Sequence, residues 1–180
     1  MKKWLSVFVL LATFSFASEK EDKGQELCSF TSEVFTILED QSKIIEPSHL
    51  AKAHAESIKK LQVFEKGNSP ELAKLAERFI VSMQGGDNGK EGLGDAVSSL
   101  GCLVKCSVDD DYYRLDTPFV LHKKDIQNSL SLMERRLGDR LPKDKKVSYH
   151  KMMIESLAEQ KYDIALYAYF KIAEERCQKS

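Results

Sequence analysis

Apolar residues recur at three- and four-residue spacing along nearly the whole chain, and alternating runs of the strand kind are missing. Leu27, Phe30, Val34, Ile37, Leu38, Ile44 and Ile45 predict a first helix. Pro47 and Ser48 open a second, with a stripe of Leu50, Ile58, Leu61 and Phe64 that ends at Gly67. Ser69-Pro70-Glu71 starts a third with strong local chemistry. A serine there accepts from orphan amides, proline suits the first turn, and glutamate complements the helix dipole. Its apolar face is Leu72, Leu75, Ala76, Phe79, Ile80 and Met83, and Gly85-Gly86 stops it.

Residues 85–94 hold five glycines and read as a mobile loop. Leu93, Ala96, Val97, Leu100, Leu103 and Val104 predict a fourth helix. Thr117-Pro118 opens a fifth along Phe119, Ile126, Leu130, Met133 and Leu137, closed by Gly138 and Pro142. Val147, Ile154 and Leu157 mark a sixth. Tyr162, Ala165, Leu166, Tyr169, Ile172 and Ala173 mark a seventh. The fold expected is all-α, an irregular bundle of six or seven helices.

The N-terminus changes where this bundle is expected to work. Lys2 and Lys3 precede an apolar run from Trp4 to Phe16, and Ser15 and Ala17 supply the small-x-small pattern a signal peptidase accepts. That run is shorter than the roughly 20 residues a bilayer span needs. The expectation is a signal peptide over 1–17 and a single helical domain over 18–180, with no membrane attachment after cleavage. The style of the leader is bacterial, so the expected address is the periplasm or the outside medium. A formal net charge of −1, with both signs mixed along the chain, lacks the basic stripe of a nucleic-acid binder.

All four cysteines, Cys28, Cys102, Cys106 and Cys177, fall after the leader. An even count in an exported chain predicts two disulfides. Cys102 and Cys106 sit one helical turn apart, where a mutual bond would constrain little. The expected pairing therefore joins Cys28 and Cys177 separately to Cys102 and Cys106.

One segment resembles a known repeat. Tyr162-Asp163-Ile164-Ala165 followed by Tyr169-Phe170-Lys171-Ile172-Ala173-Glu174 looks like the second helix of a tetratricopeptide or Sel1-like repeat. There, small residues let helices approach closely around an aromatic. The preceding helix lacks the usual Trp and Gly positions, and no other segment repeats at that period. The resemblance implies a packed helical hairpin with a groove for a partner.

Candidate chemistry is sparse. His54, His122 and His150 lie on the apolar stripes of three helices, and convergence on one core would make a metal or proton-transfer site. Partly buried structural histidines fit the same positions, and no His-Glu-x-x-His pattern accompanies them. Residues 85–95 fail both the calcium-loop and the phosphate-loop spacings. No nucleophile motif stands out, so neither catalysis nor a cofactor is expected. Asp109, Asp110, Asp111, Tyr112 and Tyr113 combine charge with aromatic area and form a candidate grip on a basic protein partner; the other reading of the same residues is a solvated acidic loop whose tyrosines fold back onto the bundle. Tyr162, Tyr167, Tyr169 and Phe170 point around the last helix, which is then either sandwiched or offers an aromatic patch. The function expected is an exported, non-enzymatic protein-binding domain, an inhibitor or immunity protein against a toxin or envelope enzyme. The alternatives are an envelope assembly adaptor using the last hairpin, and a histidine-dependent metal protein or enzyme.

Overall fold

The computed structural model describes residues 3–67, 69–85, 87–108, 119–144 and 146–178, with side chains from residue 23 onward except at 87 and 88. The candidate grip at Asp109–Tyr113 and the Thr117-Pro118 helix start both lie outside these residues. Among those described there are seven α-helices: α1 (Lys3–Ser42), α2 (Pro47–Glu65), α3 (Pro70–Gln84), α4 (Asp87–Cys106), α5 (Lys123–Leu137), α6 (Tyr149–Ala158) and α7 (Tyr162–Cys177). The all-α bundle expected from periodicity is what forms. Among the described residues no helix is long and apolar enough to cross a membrane.

Local chemistry accounts for the helix starts. Glu46 is extended, as a residue before proline must be, and Pro47 occupies the first turn of α2, where no amide is needed. Ser69 Oγ accepts from Leu72 N at the head of α3, and Ser148 Oγ accepts from Lys151 N at the head of α6. The whole expected apolar face of α3 is buried.

Helices α1 to α4 each pack on the one before, α5 packs on α1, and α6 packs on α7. The last helix ties the rest together, since α7 touches α1, α4, α5 and α6. That explains its sequence: residues Asp163 to Ala168, Phe170, Ile172 and Ala173 are buried around the whole cylinder. Tyr167 and Phe170 are therefore sandwiched, while Tyr162 at its start is half-buried. Tyr167 packs edge-on against Tyr149 of α6 at 6.4 Å, and a Cβ at Gly101 of α4 would fall inside the Tyr169 ring. At the other end of the core, Phe30 of α1 meets Phe64 of α2 and Phe79 of α3 edge-on, at 5.1 and 6.0 Å.

Three expectations are corrected here. The glycine-rich segment is no loop, because α4 already begins at Asp87. Gly89 and Gly92 lie against Ser82, and a Cβ at Gly89 would collide with the Ser82 carbonyl. Their glycines let α4 approach α3, a packing role that composition alone reads as disorder. The fifth helix starts at Lys123, and Phe119 and Leu121 are buried from the non-helical segment before it. Finally, no disulfide joins the four cysteines, so the bundle is not stapled and the expected pairing fails. Their surroundings differ. Cys28 lies beside Asp125, Cys177 beside Lys123 and Glu174, and Cys102 is exposed near Tyr169. Cys28 and Cys177 thus both lie near the start of α5. Parity and compartment indicate that cysteines could pair, but geometry decides whether they do.

The α6–α7 turn carries a backbone outlier. Gln160 has φ of 59° and is the one non-glycine with positive φ among the described residues. Lys161 N bonds to Ser156 O at 2.7 Å and Gln160 N to Leu157 O at 3.1 Å, the Schellman pattern that wants glycine at this position. Gln160→Gly is expected to raise stability by about 0.5–1 kcal/mol by removing the Cβ strain. A lower denaturation midpoint in urea would contradict this.

Candidate binding cleft

Where α1, α2, α3, α4 and the start of α7 meet, they enclose a cleft of about 460 Å³. Its walls are mostly apolar: Leu38, Pro47, Leu50, Met83 and Leu93, each from a helix placed by its core stripe. The Tyr162 ring closes one side. Its hydroxyl donates to Lys90 O at 2.7 Å and so joins α7 to the first turn of α4. The volume and apolar walls match a site that takes an apolar group in a cavity of about 300–1,000 Å³.

The polar groups of the cleft divide into engaged and open ones. Asp163 is 1% exposed and holds Arg140 through two hydrogen bonds, 2.6 and 3.1 Å, while also accepting from Ile164 N. Arg140 reaches on to Ser42 Oγ at 3.4 Å, so one guanidinium links α1, the 3-10 turn Gly138–Arg140 and α7. Ser42 and Ser82 donate to carbonyls of their own helices. Gln41 is less well served. Its amide donates at 3.5 Å to Ser57 Oγ and at 3.4 Å to Met83 Sδ, a weak acceptor, and its carbonyl oxygen has no partner among the described residues. His54 has none either. Two side chains, one each from α1 and α2, thus bring open hydrogen-bonding capacity to an apolar cavity.

Adjoining the cleft lies a second, more polar groove of about 450 Å³. It shares Lys90, Gln160 and Tyr162 with the cleft and adds Glu91, Asp95 and Ser98 of α4 and Leu157 of α6. Glu91 and Asp95 have no ion-pair partner among the described residues.

The three candidate histidines are not brought together. His54 lines the cleft, while His122 is the exposed residue before α5 and His150 is exposed on α6. The reason for His150 is that α6 buries Met152 and Ser156, leaving Ile154 63% exposed, so the expected stripe faces solvent. No group of three metal-ligating side chains occurs among the described residues. Of the cleft residues, Gln41 was not singled out by the sequence, Met83 was read only as part of the α3 stripe, and Tyr162 only as an aromatic of the last helix. Each is an ordinary member of a helix, and only the approach of five helices gives them a common site.

The second buried carboxylate, Glu39 of α1, is 2% exposed and pairs with Lys43 and with Arg136 of α5, which also reaches Thr36 Oγ1 at 2.9 Å. On α7, Lys171 sits between Glu134 and Glu174 at 3.2 and 3.0 Å, and Tyr167 donates to Glu134 at 3.1 Å.

Burial, and then the Asp125 carboxylate, push the Cys28 thiol up to about 12. Burial also raises Tyr162, Tyr167, Tyr169 and Cys177, with Glu134 adding to the effect on Tyr167. For Lys171, burial works downward, but Glu174 and Glu134 outweigh it and the net direction is up. All six shifts have the same consequence. The unfolded chain releases these protons first as pH rises, so stability present below the ordinary thiol value of 9.0 is lost above it. The urea midpoint is expected to fall steadily from about pH 9 toward 12, and a level midpoint over that window would contradict it. At about pH 8, Cys102 should react quickly with a thiol reagent while Cys28 reacts only on unfolding.

Comparison of the chain with protein-family models, with curated proteins and with solved structures finds no match.

Proposed function

We propose that the chain is an exported, non-catalytic binding domain, an inhibitor or immunity protein that neutralises a toxin or an envelope enzyme, and that it grips its partner through the cleft. The observation that carries this reading is the cleft itself. It combines apolar walls from five helices with the open side chains of Gln41 and His54. A preformed cavity of this kind lowers the ordering cost of seating an apolar anchor, because its walls are held by the core. Export rests on the leader over 1–17, and the inhibitor role on the class of small exported helical domains. The groove implied by the repeat-like hairpin is not favoured, because α7 is covered by four neighbouring helices.

The test is to immobilise the chain from residue 18 onward and pass over it the envelope fraction of its native source. A protein held at one-to-one stoichiometry, whose own activity falls in the complex, is expected. Failure to retain any protein, or a retained enzyme that stays fully active, would overturn the reading.

A further inference from the structure

We infer that the cleft and the adjoining groove together receive one extended, basic segment of a partner protein, with an apolar side chain in the cleft and a lysine or arginine in the groove. This rests on the binding role proposed above and adds the chemistry of what is bound. The two cavities adjoin: Tyr162, Lys90 and Gln160 line both. An occupant that leaves the cleft along the rim formed by these residues enters the groove directly.

The chemistry changes along that path. In the cleft the walls are aliphatic and the Asp163 carboxylate is already matched by Arg140, so the cavity favours an apolar group. In the groove one lysine, Lys90, stands against two carboxylates, Glu91 and Asp95, that no described cation pairs. The charge left over is negative, and a basic side chain satisfies it. Within the cleft, the open groups suit a main-chain peptide unit of the occupant. Gln41 offers an accepting oxygen and a weakly engaged amide, as a main-chain peptide unit requires, and His54 adds a ring nitrogen in the same cleft. The groove is framed by the first turns of α4, the end of α6 and the strained Gln160 turn. The close packing of Gly89 and Gly92 on Ser82 fixes that α4 segment in place.

A displayed library of random heptapeptides is the probe, panned against the whole chain from residue 18 onward. Selected peptides are expected to pair a Leu, Met or Phe with a Lys or Arg one to three positions away. Two exposed sites supply variants that leave the core intact. Ala51→Trp fills the cleft from its α2 wall, and the double charge reversal Glu91→Lys with Asp95→Lys inverts the groove. The first is expected to weaken a selected peptide by about tenfold or more, and the second to weaken it by about tenfold and remove the basic preference. Peptides with no basic residue, or equal affinity for the wild type and both variants, would overturn the inference. So would a panning that selects nothing, including the case where the apolar dye bis-ANS binds and Ala51→Trp displaces it, which would mark a small-molecule cavity. The envelope partner separates this from the broader reading. A partner held equally by wild type and Ala51→Trp upholds the binding role and removes the cleft from it, whereas a chain that holds no partner loses the role itself.

Discussion

Replacing Arg140 with alanine is expected to cost about 3–5 kcal/mol of folding stability, because it leaves a buried carboxylate without its cation. The partner left behind is Asp163, 1% exposed at the head of α7, while the Arg140 side chain is 38% exposed. That asymmetry fixes the order of two substitutions. Asp163→Asn removes the charge from the buried side and leaves a guanidinium that can turn to water, so it is expected to cost less, about 1–3 kcal/mol. Arg140→Ala also releases Ser42, loosening the end of α1 that forms one wall of the cleft. Urea denaturation of the two variants measures both. A cost for Asp163→Asn above that of Arg140→Ala would contradict this assignment of roles.

Gly101→Ala is the second large expected effect, and its sign is the informative part. In an ordinary helix interior the change stabilises by about 1 kcal/mol. Gly101 lies inside α4 where α7 crosses it, and a new Cβ would fall within the Tyr169 ring near its attachment to the chain. The ring cannot swing aside at that root, so the helices must separate. Overpacking of this kind costs about 1–3 kcal/mol, enough to reverse the propensity gain. Gly101→Ala combined with Tyr169→Ala is expected to be less destabilising than the two effects added, since the first has nothing left to strike. A stabilised single variant, or strict additivity, would show that the contact does not set the spacing of α4 and α7.

These two sites mark how far the sequence could be read. Helix α3 was legible in full, because Ser69, Pro70 and Glu71 are local signals and its six apolar residues all face one core. Periodicity failed where another element decides the face. On α6, Ile154 sits at a spacing that suits the core, but α7 covers the Met152 and Ser156 side instead. Glycines 89 and 92 read as a loop because composition does not show that a neighbouring carbonyl or hydroxyl occupies the Cβ position. The cysteines could be counted but not placed. Of the candidate site, His54 was visible as a histidine on a stripe and Tyr162 as an aromatic of the last helix. Gln41 and Met83 carry no motif, and the relation of Gln41 to Tyr162 across 120 intervening positions exists only once five helices have packed.

The cleft between α1, α2, α3, α4 and α7 is where this domain is proposed to bind. Backbone hydrogen exchange, measured on the chain alone and in complex with the partner recovered from its native envelope, locates the bound surface. Slowed exchange is predicted over Pro47–His54 and Lys90–Leu93, the segments lining the cleft from α2 and α4. Slowed exchange confined to segments away from the cleft, with Pro47–His54 and Lys90–Leu93 unchanged, would contradict it.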